Sequence, residues 1–447
     1  MRDVRQDAAG KPIQEQLMSG KKRQNGRLSH SASWMFAGRT LNFFFQAAYF
    51  VLLARLLGVR EYGIFAGVFA LVNTLTPYSA LGAAMLLLRY VSVNHEAARV
   101  YWGNALTTTF SFTVIAALSA LLLGRWMHSI GSPLMVIILI VANCLFTQIT
   151  LLGSSMVFAL GNARLSALMN TASNLSRVLI LVIMKIGMGH ATALQWSVGV
   201  LIASFAAAVT IYVNVRKQIG AAAFDSRLLK RRFWEGLGFS FAGTTEAVNN
   251  DLDKMMLAHY GMEVQNGFYT LAYRVIDFAT SPIGALNSAV MQRHFVLSPQ
   301  GIRPVIKLAA KSLAVSGALG LVIALVTRFG SPLLPVVAGK GFVGAIAVLN
   351  ILCWLPLIRG VHQMCGSAVT GLGHQNWRTA AQAVVALLNI GLNWMWIPKF
   401  GWRGAAWSTL ASDGLLAVLN AGLLILLARI ALQRDIRTEQ PALEGVR

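Results

Sequence analysis

Residues 134–159 read LMVIILIVANCLFTQITLLGSSMVFA, twenty-six positions without a charged side chain. A helix needs about 20 mainly apolar residues to cross the hydrocarbon core of a bilayer, so this stretch is long enough to span one. It is not alone. Outward from it, the 447 residues resolve into twelve such segments: 34–57, 63–88, 103–124, 134–159, 166–187, 196–213, 237–260, 266–291, 308–328, 343–370, 379–397 and 405–428, numbered here as spans 1 to 12. The chain is 56% hydrophobic and 12% charged, with a mean hydropathy of +0.61. Soluble domains carry about 25% charge, and a soluble globule of this size could not hide so much apolar surface. Disorder is excluded too, because it requires low hydrophobicity. The expected fold is an all-α polytopic membrane protein. Its loops are short, and none is long enough for an extramembrane enzyme domain.

The net charge of +22 could point to nucleic acid. However, the Lys and Arg lie between apolar runs, as the positive-inside rule expects for a multi-span protein, and no nucleic-acid partner is expected. With the N-terminus in the cytoplasm, and Lys185, Lys311 and Arg328 at span ends counted with the side they border, 25 Lys and Arg fall on the cytoplasmic side, seven outside and six within spans. Both termini are therefore expected to be cytoplasmic. Residues 1–33 read as a basic tail, with no apolar core and cleavage site of the kind that marks a signal peptide. The segments that follow are an N-terminal six-helix lobe (34–213), a cytoplasmic linker (214–236), a C-terminal six-helix lobe (237–428) and a cytoplasmic tail (429–447).

The two halves look alike. At a shift of 205 residues, Phe36-Ala37-Gly38 falls on Phe241-Ala242-Gly243, and Pro77-Tyr78-Ser79-Ala80-Leu81 on Pro282-Ile283-Gly284-Ala285-Leu286. Between them, Gly63-Ile64-Phe65 meets Gly267-Phe268-Tyr269 with one residue of slippage, and Leu160-Gly161 later meets Leu372-Gly373 at 212. Six spans per half is an even number, so the halves would be parallel repeats with a substrate site between them. Pro77 and Pro282 interrupt matching helices and suit either bending hinges or fixed kinks.

Three stretches carry a family resemblance. Ala54-Arg55-Leu56-Leu57-Gly58 with Tyr62-Gly63 is the first. Asp253-Lys254 followed by Gly267-Phe268-Tyr269-Thr270-Leu271-Ala272-Tyr273-Arg274 is the second. Ile397-Pro398-Lys399-Phe400-Gly401-Trp402-Arg403-Gly404-Ala405-Ala406 is the third. In order and over about residues 30–430, they resemble bacterial polysaccharide transporters, the lipid-linked oligosaccharide flippases of O-antigen and exopolysaccharide assembly. The resemblance implies two six-helix lobes around a central cavity, as in the multidrug and oligosaccharidyl-lipid flippase superfamily. It further implies undecaprenyl-diphosphate oligosaccharides as substrates, a bacterial inner-membrane location, and assembly partners such as a polysaccharide polymerase. A multidrug or cation antiporter of the same superfamily is the alternative.

Charge inside a bilayer costs at least about 2.5–3.5 kcal/mol per residue, so such groups face a cavity or a partner. Spans 1–6 contain no acidic residue but carry Arg39, Arg55 and Arg177. Spans 7–12 carry Glu246, Asp251, Asp253, Asp277 and Asp413 beside Lys254, Arg274 and Arg359. Helical spacing puts Arg39, Asn42 and Gln46 on one face of span 1. It does the same for Asn170, Asn174 and Arg177 on span 5, Glu246, Asn250 and Asp253 on span 7, and Arg359, His362 and Gln363 on span 10. Four polar faces point to one wet cavity, or else to separate interhelical hydrogen bonds.

Arginine's forked donors suit a diphosphate, which makes Arg39, Arg177, Arg359, Arg274 and Lys254 the candidate substrate-binding residues. Arg39 and Arg359 lead, because neither has a carboxylate within one turn. The five carboxylates are candidates for proton coupling or for charge pairs: Lys254 with Asp251, Arg274 with Asp277 at i+3 and with Asp253 across the hairpin. Asp413 has no evident partner. Arg55 reads as part of a structural turn, and Gly63 and Gly67 as helix packing. No P-loop occurs, and Asp251-Leu252-Asp253 lies inside a span, away from any glycosyltransferase loop. Cys144, Cys353 and Cys365 all fall in apolar stretches. No metal, cofactor or enzymatic activity is expected.

Overall fold

The computed structural model describes the backbone of residues 13–124 and 132–444. Side chains are described from residue 44 to residue 430, apart from 121–131, 242 and 246, and again at residue 433. Every regular element among these residues is helical. Each expected span has a helix. Spans 1 and 2 are the two limbs of Ile13–Ser79, and spans 3 to 6 are Ala98–Gly124, Pro133–Ala159, Ala163–Met188 and Ala193–Ile219. Spans 7 to 12 are Ser226–His259, Glu263–Leu297, Ile302–Gly330, Gly344–Gly371, Gln375–Phe400 and Trp402–Glu444.

Among the described residues, seven of these helices are long and apolar enough to cross a membrane, and the bent pair Phe44–Ser79 and Ala83–Val91 makes an eighth. Spans 7 and 8 carry Asp251, Asp253, Lys254, Arg274 and Asp277, which makes them less apolar than their neighbours. Their charge is the cost of the site they carry.

Local chemistry sets the ends. Ser132 caps span 4, its hydroxyl accepting from the Met135 amide at 3.2 Å. A Thr192–Gln195 capping box opens span 6. The Asp225 carboxylate accepts from the amides of Arg227 and Leu228 at the start of span 7. The expected linker 214–236 is therefore mostly helix: only 220–225 separates spans 6 and 7. The backbone helix of span 1 begins at Ile13, inside the segment read as a tail.

Gly58 parts spans 1 and 2 with φ 71 and ψ 175, a conformation in which a side chain would be strained. Beyond Pro77, span 2 breaks at Leu81 (φ 44) and Gly82 (φ 61) and bends by 40°. The matching Pro282 sits within an unbroken helix, Glu263–Leu297. The two prolines thus share a position, but only the first precedes a break in its helix.

The two halves meet along spans 2, 7 and 8. A Cβ on Gly63 would collide with the Glu263 carbonyl, and a Cβ on Gly267 would collide with the Val59 carbonyl. A shift of 204 residues maps Gly63 onto Gly267 and Val59 onto Glu263, so the contact is reciprocal, as across a twofold axis. Asn266 donates to the Gly63 carbonyl at 2.8 Å. Gly67 lies against the Ala258 side chain, so both glycines serve backbone approach. Beside this crossing, Arg60 pairs with Glu263 at 2.6 Å. Arg55 donates to the carbonyls of Val336 and Val337 at 2.8 and 2.6 Å, which fixes the turn between spans 1 and 2 onto the second half.

Candidate substrate cavity

Span 4 is not a regular helix. Val141–Thr147 is a π-helical stretch, in which the Thr147 hydroxyl donates to the Ala142 carbonyl five residues back at 2.9 Å. The wider turn swings Thr147 toward span 5. There Arg177 donates one amino group to Thr147 Oγ1 at 2.7 Å and to Ser204 Oγ of span 6 at 3.3 Å. Its Nε is buried without a partner. Among the described residues no carboxylate pairs with Arg177, and its hydrogen-bond partners are hydroxyls.

Span 7 provides a denser arrangement. Lys254 Nζ lies 3.0 Å from Asp251 Oδ1 and 3.6 Å from Asp253 Oδ1. It also donates to the Asn250 carbonyl and sits 4.1 Å above the Tyr273 ring. The other Asp251 oxygen accepts from Asn73 of span 2 at 2.6 Å. Asp253 accepts from the Tyr269 hydroxyl. Lys254, Asp251 and Asp253 are buried together, so removing one would leave the others without compensation.

The expected Asp253–Arg274 pair does not form. Tyr269 and Tyr273, one turn apart on span 8, meet Asp253 and Lys254 instead. Arg274 lies 3.8 Å from Asp277 and 5.1 Å from the Phe50 ring. Asp277 itself is closer to Arg359, at 2.9 Å. Arg359 also pairs with Asp413 at 3.0 Å and donates to the Tyr273 hydroxyl at 2.5 Å. Two expectations are corrected here. Asp413 has a partner, and Arg359 is committed on three sides rather than free. Both partners come from other helices, which same-helix spacing could not reveal.

These groups border two cavities. The larger, about 340 Å³, is lined by Gln46, Tyr49 and Phe50 of span 1, Tyr62, Phe65 and Asn73 of span 2, Asn174 and Arg177 of span 5, and Asp251, Lys254 and Arg274 of spans 7 and 8, among others. The smaller, about 70 Å³, is lined by Asn249, Asn250, Tyr273, Arg359, Gln382, Asn389, Thr409, Ser412 and Asp413, with apolar contacts. Asp277 links them, bonding to Arg274 on one side and Arg359 on the other. Arg177, Lys254, Arg274 and Asp251 are thus brought together. Arg359 and Asp413 lie across the wall. Arg39 and Glu246 lie outside the residues whose side chains are described.

Sequence reasoning missed Tyr269, Tyr273, Asn73 and Thr147. The tyrosines were findable: they sit at i and i+4 within 267–274, on the turn that also carries Arg274. Thr147 was not, because a π-helical turn leaves no apolar period to read.

A bundle of membrane-crossing helices, with a cavity of buried cations between its halves, defines a multi-span helical transporter. The chain belongs to the polysaccharide biosynthesis protein family, which matches residues 28–291. No curated protein matches it at the sequence level. Among solved structures, it is similar to an inward-facing multidrug-resistance MATE-family transporter of the MOP superfamily, with a TM-score of 0.71 and 13% identity over 88% of this chain and 96% of that one. It is similar to the lipid II flippase MurJ in an inward closed conformation, with a TM-score of 0.64 and 14% identity over 89% and 87%. A further likeness is to an MOP-superfamily transporter from Pyrococcus furiosus described as having a binding pocket of reverse polarity, with a TM-score of 0.59 and 12% identity over 90% and 95%. At such identities the likeness shows the fold.

Proposed function

We propose that the chain flips an undecaprenyl-diphosphate-linked oligosaccharide across a bacterial inner membrane by alternating access, with the diphosphate held in the larger cavity. The observation that carries this reading is Arg177, a half-buried guanidinium facing the cavity whose partners among the described residues are hydroxyls. A diphosphate supplies the anionic oxygens that its unused donors lack. Arg274, loosely paired at 3.8 Å, is the second contact. Arg359 drops out of the headgroup site, because two carboxylates already neutralise it. Lys254, also neutralised by two carboxylates, serves to shape the cavity.

The aromatic lining, with Tyr49, Phe50, Tyr62 and Phe65, favours a second reading, an organic-cation antiporter, since cations bind aromatic faces. Charge argues against it. A cation would meet Arg177 and Arg274, and Asp251 is already spent on Lys254 and Asn73.

Orientation is part of the proposal. Both termini and 220–225 lie in the cytoplasm, and the two halves are parallel repeats. Reporter fusions near 124–133 and 261–264 are expected to read outside, and fusions at 220–225 and after Arg429 inside. An outside signal at 220–225 overturns the parallel arrangement. The functional test is complementation of glycan export in a strain lacking its own flippase, with accumulation of lipid-linked precursor as readout. Arg177→Ala is expected to reach the membrane at normal levels and lose export. Wild-type export by both Arg177→Ala and Arg274→Ala sinks the headgroup assignment, and efflux of cationic dyes by the wild type favours the antiporter.

A further inference from the structure

The smaller cavity differs from the larger in chemistry as well as in size. Its two charged residues, Arg359 and Asp413, are paired with each other, and Asp277 completes the arginine's neutralisation. What remains is a set of carboxamides and hydroxyls: Asn249, Asn250, Gln382, Asn389, Thr409 and Ser412. Part of the set is committed to its own framework. Asn389 donates to Ser412 at 2.9 Å and accepts from Asn393 at 2.9 Å, so spans 11 and 12 form a fixed floor. Thr409 bonds to Tyr269 at 3.0 Å. The side-chain amides of Asn249, Asn250 and Gln382 have no hydrogen bond among the described residues. Asn249 and Asn250 are exposed in the middle of a helix that the chain places in the membrane. Unpaired amides at that depth are costly unless they face a wet space.

We propose that this cavity is a glycan subsite, taking the hydroxyl edge of the neutral sugar next to the diphosphate. The inference rests on the flippase reading above and deepens it. Each carboxamide presents two donors and an acceptor with two lone pairs, and each sugar hydroxyl both donates and accepts. Three open amides on spans 7 and 11 therefore match a ring edge that carries adjacent hydroxyls. The cavity is balanced in charge, so it gives no reason for an anion to enter. The larger cavity, with Arg177 unpaired by any described carboxylate, does. The wall they share puts the two sites next to each other, as phosphate and first sugar are in the ligand. Specificity then divides: the larger cavity reads the diphosphate common to all such carriers, and the smaller reads the sugar.

The test is binding to the purified protein in nanodiscs, measured by native mass spectrometry. The probes are undecaprenyl diphosphate, bare or carrying one N-acetylglucosamine, glucose or galactose. At least one sugar-bearing lipid is expected to bind about tenfold more tightly than the bare diphosphate. Asn249→Ala with Gln382→Ala should erase that difference and leave the bare lipid's affinity unchanged, and Gln382→Ala alone should reduce the difference if the double variant misfolds. Arg177→Ala should weaken all four lipids alike. Equal binding of the four by the wild type overturns the subsite, as does a folded amide variant that keeps the preference. Failure of even the bare diphosphate to bind overturns the flippase reading instead.

Discussion

Arg177 and Arg359 are both intramembrane arginines on polar helix faces, one in each half, yet their surroundings are opposite. Arg359 is held by Asp277, Asp413 and Tyr273 from two other helices. Arg177 has Thr147 and Ser204 and an idle Nε. A guanidinium with two carboxylates is part of the framework, because its charge is already answered. A guanidinium with hydroxyls alone has charge left over for a ligand. Position on a helix cannot distinguish them; the partners do.

The largest effect should come from breaking the framework arginine. Arg359→Ala leaves the half-buried Asp277 and Asp413 without their cation; breaking a fully buried pair costs about 3–5 kcal/mol, and the partial exposure here lowers that figure. The variant is expected to accumulate poorly and melt early, with adding Asp413→Asn recovering part of the loss. Normal levels for Arg359→Ala would erase the contrast with Arg177. Next comes Arg177→Lys, which keeps the charge but loses the fork. Hydrogen bonds to charged groups are worth about 1.5–3 kcal/mol, so precursor turnover should fall roughly tenfold without a change in protein level. An equal loss of melting temperature in Arg177→Lys and Arg359→Lys would make both arginines structural. Smallest is Thr147→Val, which deletes one hydroxyl from Arg177. At about 0.5–1.5 kcal/mol for one hydrogen bond, a several-fold drop in transport is expected, read from initial rates in proteoliposomes.

The helices were legible from the sequence because an apolar run of about 20 residues has few other uses. The alignment that sets Gly63 against Gly267 in the sequence marks the two glycines that pack the crossing. Charge pairs within one helix could be read, as Asp251 with Lys254 shows. Pairs between helices could not. Span 8 offers Arg274, Asp277 and two tyrosines, and only the packing of spans 7, 10 and 12 decides which carboxylate goes to which base. The Tyr269 bond to Asp253 consumed the partner that depth alone had assigned to Arg274. The π-helical stretch in span 4 displaced Thr147 from the face that a regular helix would give it.

The crossing at Gly63 and Gly267 has one more consequence. Each half brings a bare glycine and, four residues before it, a carbonyl that the other half's glycine must clear. The joint is its own complement, so the chain is built like a homodimer whose subunits have been fused. A fused dimer no longer needs identical subunits. Only the shared joint must stay matched, while each half is free to drift elsewhere. One half could then shed its acids and keep an unanswered arginine, while the other gathered carboxylates around its own.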